Sequence, residues 1–307
     1  MDDRLQELRA LAARAENRRT ETGIPRVAMV QGEIPEHQLA AVYDPMVNLI
    51  LTGSKTMSVA DQTFRYDPAT YFVMSVDLPA VGSVHPSADG QPYLAVSLTL
   101  EPAIVANLLV DLLKPAGGSL YAPGFSVAPV TPDLLDAWVR MLRLINRPDE
   151  IAALAPAYER EILFRVLQGP MGWMLRDIAT PDTALSRVGV AIQWIRENFA
   201  KPLRVEALAD MAALSVSAFH RHFKAVTALS PLQYQKQVRL LHARSLLIAG
   251  KENTTAIAFD VGYESPNQFS REYARQFGLP PSRDAAQLRH GRAVLALDHP
   301  EPRSLPG

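Results

Sequence analysis

The sequence predicts an α+β multidomain protein, with a strand-rich N-terminal barrel or sandwich flanked by helices and an all-helical C-terminal domain. Residues 25–100 contain short apolar runs separated by turn residues, as short strands do. Helical spacing of apolar residues predominates after residue 186.

The distribution of charge along the chain changes at the same place. Residues 1–186 carry 15 Lys and Arg against 22 Asp and Glu, a net charge of −7, whereas residues 187–292 carry 15 against 8, a net charge of +7. A basic module on an acidic body suits phosphate binding through that module.

Composition excludes several kinds of chemistry. The 307 residues include no cysteine, which rules out disulfides, thiolate zinc sites and a thiol nucleophile. No apolar run approaches the ~20 residues that a helix needs to span a bilayer. The acidic N-terminus lacks the apolar stretch of a signal peptide. We therefore expect a cytoplasmic protein without a membrane partner.

The N-terminal half begins with a predicted helix over residues 3–19, where apolar residues are three or four apart. Four apolar runs follow, ended by turn residues such as Thr52-Gly53-Ser54. The runs are 46–51, 63–66, 71–76 and 93–100. Short strands with turns between them predict a small barrel or sandwich.

Two amphipathic helices are predicted over residues 133–146 and 150–167. The first has an apolar stripe, formed by Leu134, Leu135, Trp138, Met141, Leu142 and Ile145. A stripe does not name its partner. It either packs within the chain or makes a homodimer through residues 131–167.

The basic region contains a helix-turn-helix pattern. A short helix with the small residue Ala209 is followed by a turn at Ala213, and Phe219 and Phe223 anchor the next helix. A small residue is needed where the first helix crosses the second at close range. Four polar residues are then free to enter a major groove, namely Ser217, His220, Arg221 and Lys224. Arg221 could bond guanine bidentately.

The pattern repeats about 49 residues later, with Ala258 at the crossing and Gly262 at a turn that is one residue longer. The outward residues of this repeat are Asn267, Gln268, Ser270 and Arg271. Ser230-Pro231 predicts the start of a connecting helix and Gly250 its end. Such a helix would be ~28 Å long. It could place two recognition helices in successive major grooves, which are about 34 Å apart.

These patterns lie in the stretches LADMAALSVSAFHRHFKAVTALSPLQYQKQVRLLHARSLL and IAFDVGYESPNQFSREYARQFGLPP. With them, residues 203–283 resemble the DNA-binding domain of the AraC/XylS family of transcription regulators. The family typically continues with a Tyr-Arg pair, where this chain has Asp284-Ala285. The resemblance implies activation or repression at promoters in the nucleoid, often with contact to RNA polymerase. By position, it implies base reading by Ser217, His220 and Arg221 and by Asn267, Ser270 and Arg271.

The N-terminal half also carries a resemblance, through VYDPMVNLILTGSKTMSV, FRYDPATYFVMSVDLP and PYLAVSLTLEPAIVANLL. These are similar to the cupin-like N-terminal domain of one AraC-type subgroup, a kind of domain that binds a small effector or dimerises. The expected division is a helical arm (1–24), a cupin-like barrel (25–120), a helical hairpin and linker (121–180), the double helix-turn-helix domain (186–292) and a tail (293–307).

A metal-dependent cupin needs several histidines and a carboxylate, but residues 1–186 contain only His37 and His85, in no metal-ligand spacing. Phosphate-loop, HExxH and GxSxG patterns are lacking as well. We expect no metal, no cofactor and no enzymatic activity. A small effector would need a mostly apolar pocket with a few polar groups. The candidates are Lys55, Tyr66, Tyr71, His85 and Tyr93.

Two other hypotheses remain open at this point. One is a cupin-like enzyme with an attached DNA module, which bound metal would favour. The other is a DNA-binding protein without a small ligand.

Overall fold

The computed structural model describes residues 2–16, 19–32, 40–68, 70–112, 123–250 and 253–297. The chain forms two compact units. The first comprises residues 1–194 and 204–234, and the second comprises residues 195–203 and 235–307. The predicted α+β fold class is confirmed, with strands in the N-terminal half and helices in the C-terminal domain. His37 and the end of the predicted tail lie outside the described residues.

The described residues of the first unit form ten strands in two antiparallel sheets. The strands are Thr20–Glu21 (β1), Val27–Gln31 (β2), Ala40–Tyr43 (β3), Met46–Thr52 (β4), Ser54–Val59 (β5), Gln62–Tyr66 (β6), Thr70–Met74 (β7), Leu78–His85 (β8), Leu94–Thr99 (β9) and Phe125–Pro129 (β10). One sheet has the order β1-β2-β9-β4-β7-β10 and the other the order β3-β8-β5-β6. The sheets meet through aromatic rings, since Phe64 of β6 and Phe125 of β10 have centroids 5.2 Å apart.

Four predicted runs match β4, β6, β7 and β9. The other strands were not predicted individually, and β5 and β8 show why. The turn at Gly53 has the expected left-handed backbone, with φ of +74°, and β5 begins at the next residue. Leu78-Pro79, shortly after the run 71–76, does not form a turn, and Pro79 is the second residue of β8. A strand tolerates proline near its start because the missing backbone N–H of the proline removes only one hydrogen bond of the ladder.

The helices are Asp2–Ala12 (α1), Pro102–Leu112 (α2), Pro132–Arg143 (α3), Pro148–Gln168 (α4), Gly172–Ala179 (α5), Ala184–Glu197 (α6), Val205–Met211 (α7), Val216–Thr227 (α8), Pro231–Ala249 (α9), Thr254–Asp260 (α10), Pro266–Phe277 (α11) and Pro281–Leu297 (α12). Within the described ranges, none of them is long and apolar enough to cross a membrane.

Helix α3 begins at a proline that follows the cap Thr131, whose side chain accepts a hydrogen bond from the Leu134 N–H. Its apolar stripe is almost fully buried within the chain, with Trp138 and Leu135 at 0% exposure. Helices α1 and α4 cover it. The stripe therefore serves the core of this unit, which answers the packing question that the sequence left open.

The second unit has its own apolar core. It is built from α9, α10, α11 and α12 around Ile257, Ala258, Phe269 and Tyr273, all of them fully buried. Helix α9 starts with a capping box, because Ser230 Oγ accepts from the Gln233 N–H while Gln233 Oε1 accepts from the Ser230 N–H.

Candidate DNA-binding surface and barrel interior

Helices α7 and α8 form the first helix-turn-helix motif. Between them Ala213 adopts the left-handed region, with φ of +51°. The Leu214 N–H donates to the Ala209 carbonyl oxygen at 2.9 Å, which closes the turn. Ser215 Oγ then accepts a hydrogen bond from the Ala218 N–H and caps α8. The turn at Ala213 lies where the sequence predicts it.

Helix α8 has two opposite faces. Phe219 and Phe223 are completely buried, with ring centroids 5.4 Å apart. The predicted base-reading residues are all exposed, namely Ser217, His220, Arg221 and Lys224. The aromatic anchors thus hold the helix so that its polar side points outward, as a recognition helix requires.

Helices α10 and α11 form the second motif by the same backbone design. The Tyr263 N–H donates to the Ala258 carbonyl oxygen at 2.9 Å, and Ser265 Oγ caps α11. Gly262 occupies the left-handed position, with φ of +87°. A Cβ there would lie 2.1 Å from the Ala200 carbonyl oxygen. Only glycine fits, both in backbone conformation and in space.

The outer face of α11 is polar. Asn267, Gln268 and Arg271 are exposed and Ser270 is half-buried. Gln268 is already engaged, because its Nε2 donates to Glu272 Oε1 at 3.2 Å. The remaining three side chains make no hydrogen bond or ion pair within the described chain, and they can be offered to a partner.

A buried ionic cluster, which we did not predict, fixes α11 to its neighbours. Arg244 of α9 and Asp284 of α12 form a two-bond ion pair at 2.9 and 3.2 Å, and the Tyr273 hydroxyl donates to the same carboxylate at 2.7 Å. Both charged side chains are less than a tenth exposed. Asp284 is the position at which the chain departs from the Tyr-Arg pair noted above. The departure supplies a counter-charge for Arg244, so the helix continues through it.

Inside the first unit, the facing sheets bring together several of the predicted effector residues. Lys55 is buried on the same side of β5 as Met57 and Val59. In the β5–β6 pair it stands directly opposite Tyr66. Tyr66 in turn stacks on Phe72 of the other sheet, with ring centroids 5.1 Å apart. Lys55 and Tyr66 therefore share the space between the sheets.

Tyr43 and Tyr93 complete what we call the barrel cluster, namely Tyr43, Lys55, Tyr66 and Tyr93. The Lys55 Nζ lies 4.8 Å from the centroid of the Tyr43 ring. Burial, with the proximity of Tyr93 and Tyr43, raises the pKa of Tyr66 well above its usual value. Burial lowers the pKa of Lys55 to about 8. Tyr43 was not predicted, although it ends an apolar run just before Asp44-Pro45.

Tyr71 and His85 lie on the outer sides of the sheets. His85 Nε2 is 3.2 Å from the hydroxyl of Thr56, which alternates with the buried lysine and faces away from the cluster. Tyr71 precedes the stacked phenylalanine and points the other way, so that a Cβ on Gly169 would lie 3.1 Å from its hydroxyl. These two predicted residues are not part of the barrel cluster.

A surface pocket of about 310 Å³ lies on the first unit, bordered among others by Arg9 and Arg65. Arg9 Nε donates to the Leu51 carbonyl oxygen at 2.8 Å. Arg65 donates to Ser54 Oγ at 3.1 Å. Both guanidinium groups are thus already hydrogen-bonded within the chain.

No group of three or more histidine, aspartate or glutamate side chains in the described part of the chain could hold a metal ion. The barrel cluster is made of lysine and tyrosine, which are not a usual ligand set for divalent metals. Its chemistry suits an organic partner.

Comparison with known proteins agrees with this architecture. Residues 23–174 match the family described as the AraC-type transcriptional regulator N-terminus. Residues 208–287 match a helix-turn-helix domain family. The chain belongs to the AraC family of transcriptional regulators.

Among curated proteins, the HTH-type transcriptional activator RhaS of Escherichia fergusonii is 34% identical over 155 residues, which are 49% of this chain and 53% of that protein. RhaS of Escherichia coli O1:K1 is 31% identical over 155 residues, or 50% of this chain and 54% of its own length. The chain spans about half the length of the curated relatives it matches.

Among solved structures, ToxT from Vibrio cholerae has a TM-score of 0.54 at 12% identity, covering 86% of this chain and 99% of that chain. A structure of ToxT with a bound unsaturated fatty acid has a TM-score of 0.51 at 12% identity, covering 80% and 88%. At such identities the likeness concerns the fold alone.

Proposed function

We propose that the protein is a sequence-specific DNA-binding transcription regulator that responds to a small effector bound in its barrel. The observation that carries this proposal is the pair of capped helix-turn-helix motifs, each presenting an exposed arginine, in the basic segment of a member of the AraC family. The matched relatives are named as activators, and we propose activation here too, through contact with RNA polymerase.

The expected contacts follow from the polar faces of α8 and α11. Ser217, His220, Arg221 and Lys224 would face one major groove, and Asn267, Gln268, Ser270 and Arg271 would face the next one. Each arginine can donate two hydrogen bonds to the O6 and N7 atoms of a guanine. Helix α9, at ~1.5 Å per residue, supplies a connection of about 28 Å. One polypeptide could then bind two half-sites without a second copy.

The effector would act on an equilibrium between DNA-competent and incompetent arrangements, by binding one of them more tightly. Of the predicted effector residues, Lys55, Tyr66 and Tyr93 support this role because they share the barrel interior. Tyr71 and His85 do not support it, since they lie on outer faces.

A homodimer through residues 131–167 would have to use the other faces of α3 and α4, because the apolar stripe is already covered. Sedimentation of the protein with and without DNA tests for it. We propose that the protein is not an enzyme. About one bound metal ion per chain in elemental analysis would argue against this proposal. Cytoplasmic location at the nucleoid follows from the proposed role.

The experiment is a gel shift of the full-length protein on its own upstream DNA, with random competitor, across a salt series. We expect specific binding that weakens steeply as salt rises, because phosphate contacts release counterions. Binding no tighter than to random DNA, both without a ligand and with benzoate, cinnamate or hexanoate added, would contradict the proposal. In vitro transcription with RNA polymerase then tests the sign of regulation.

A further inference from the structure

The barrel interior contains polar atoms that the chain itself leaves unsatisfied. The hydroxyls of Tyr66 and Tyr93 and the Oδ1 atom of Asn48 are buried, and within the described residues none of them has a hydrogen-bond partner. A buried polar atom without a partner destabilises the folded state, because it gives up its hydrogen bonds to water and gains none in return. Such atoms call for a specific explanation, and a core needed only for stability would have phenylalanine at both tyrosine positions.

Lys55 presents the same problem more strongly, since it carries a charge. Its side chain is 7% exposed, and no carboxylate in the described part of the chain forms an ion pair with it. Its one contact of electrostatic character is with the face of the Tyr43 ring. A cation–π contact stabilises a buried amine far less than the burial of an isolated charge destabilises it. With a pKa of about 8, the amine is still mainly protonated at neutral pH.

Strand register and ring stacking place most of these groups on the facing inner sides of the two sheets. Lys55 is directly opposite Tyr66, and Asn48 of β4 is directly opposite Phe72, the ring on which Tyr66 stacks. Directly opposite residues point to the same side of a sheet. The lysine, the Tyr66 hydroxyl and the Asn48 amide oxygen therefore face the aromatic centre between the sheets. Tyr93 lies close enough to Tyr66 to contribute to the raised pKa of that hydroxyl.

We propose that the barrel interior binds a small organic acid with an apolar body, whose carboxylate pairs with Lys55 and accepts hydrogen bonds from the hydroxyls of Tyr66 and Tyr93. The aromatic walls of the barrel hold the apolar body. Charge-assisted hydrogen bonds to a carboxylate are the strong ones in such a setting. This inference rests on the proposed effector role of the barrel and narrows it to one chemical class.

The test is calorimetry with benzoate, cinnamate and hexanoate, each compared with its own uncharged amide. We expect at least one acid to bind and its amide to bind much more weakly. Lys55→Met should lower the affinity for the acid by about 10- to 100-fold, the factor that corresponds to a lost hydrogen bond to a charged group. Tyr66→Phe and Tyr93→Phe should each weaken it less.

Two variants serve as matched controls, because Tyr71 and Arg65 lie on outer faces of the same sheets. Tyr71→Phe and Arg65→Met should leave acid binding unchanged. Lys55→Met removes a buried charge, so its thermal midpoint should stay equal or rise, which separates lost binding from lost folding. The proposal is wrong if none of the acids binds at millimolar concentration, if the amides bind equally well, or if Lys55→Met binds as the wild type does. Specific DNA binding in the gel shift would survive that result, so the two proposals fail separately.

Discussion

The two helix-turn-helix motifs share one backbone design but are held by different neighbours. The first belongs to the same compact unit as the barrel. There the Gly124 N–H donates to the Val226 carbonyl oxygen in the last turn of α8 at 2.9 Å, and the Tyr234 hydroxyl donates to the Asp77 carbonyl oxygen at 2.8 Å. The second motif is held by the ionic cluster of Arg244 and its partners. We therefore expect a conformational change in the barrel to affect α8 more than it affects α11.

The turns differ in a related way. Ala213 adopts the left-handed backbone conformation although it is not a glycine, which costs about 1–2 kcal/mol for an L-residue. The equivalent Gly262 avoids that cost, and its lack of a Cβ allows the backbone of residue 200 to approach closely. At the turn of the first motif, only the backbone conformation restricts the residue type. At the turn of the second motif, the backbone conformation and the close packing both require glycine.

The largest effect on this comparison is expected from Asp284→Ala. It leaves the Arg244 guanidinium buried without its counter-charge, which should cost about 3–5 kcal/mol in the free energy of unfolding. Tyr273→Phe, which keeps the ion pair, should cost only about 1 kcal/mol. Urea unfolding measures both. A loss below about 1 kcal/mol for Asp284→Ala would show that the cluster does not hold the second motif.

Gly262→Ala comes next. The new Cβ meets backbone, which cannot move aside as a flexible side chain could, so we expect a loss of more than about 2 kcal/mol. Gly278→Ala is the matched control, because Gly278 has a similar φ of +78° with nothing within 4 Å of the added Cβ. It should cost about 1–2 kcal/mol, the cost of the left-handed conformation alone. In the first motif, Ala213→Gly should be neutral or slightly stabilising. Equal losses for the two glycine variants would refute the packing argument.

Arg221→Ala and Arg271→Ala should each weaken specific binding by about 1–3 kcal/mol and relax the choice of base at one position. Lys224→Ala, by contrast, should weaken binding to all sequences alike if it contacts phosphate. Binding to a library of randomised sites separates the two patterns. Unchanged affinity and specificity in both arginine variants would contradict the groove assignment.

The smallest effect is expected from Tyr234→Phe, which removes one hydrogen bond to the Asp77 carbonyl oxygen. The loss should be about 0.5–1.5 kcal/mol. Tyr234 lies in the first turn of α9, and its ring packs edge-on against Phe223 of α8 with centroids 5.6 Å apart. Hydrogen exchange should therefore show the loss of protection in α8 and leave α11 as protected as before. Equal loss of protection in both helices would mean that the contact does not distinguish the motifs.

The elements that the sequence predicts well are set by local chemistry. The helix start at Ser230 and the turns at Ala213 and Gly262 depend on residues only a few positions apart, so one short stretch of sequence is enough to predict them. Strands β5 and β8 were not predicted because Gly53 and Pro79 are residue types that are typical of turns. Strand β5 nevertheless begins directly after Gly53, and β8 begins one residue before Pro79.

The composition of the barrel cluster could be predicted only in part, because it depends on strand register. A shift of one residue moves every side chain to the other face of a sheet. Lys55, Tyr66 and Tyr93 could be chosen by residue type, but Tyr43 could not be added, nor Tyr71 and His85 removed, before the pairing was known. The partner of Arg244 is 40 residues away and likewise follows from the tertiary structure alone.

We propose that the two motifs of one chain bind two DNA sites, and hydroxyl-radical footprinting on the upstream DNA distinguishes this from binding through one motif. We predict two protected segments about one helical turn apart. Arg221→Ala should weaken protection of one segment and Arg271→Ala that of the other. A single protected segment, or two segments that both variants weaken equally, would contradict the claim.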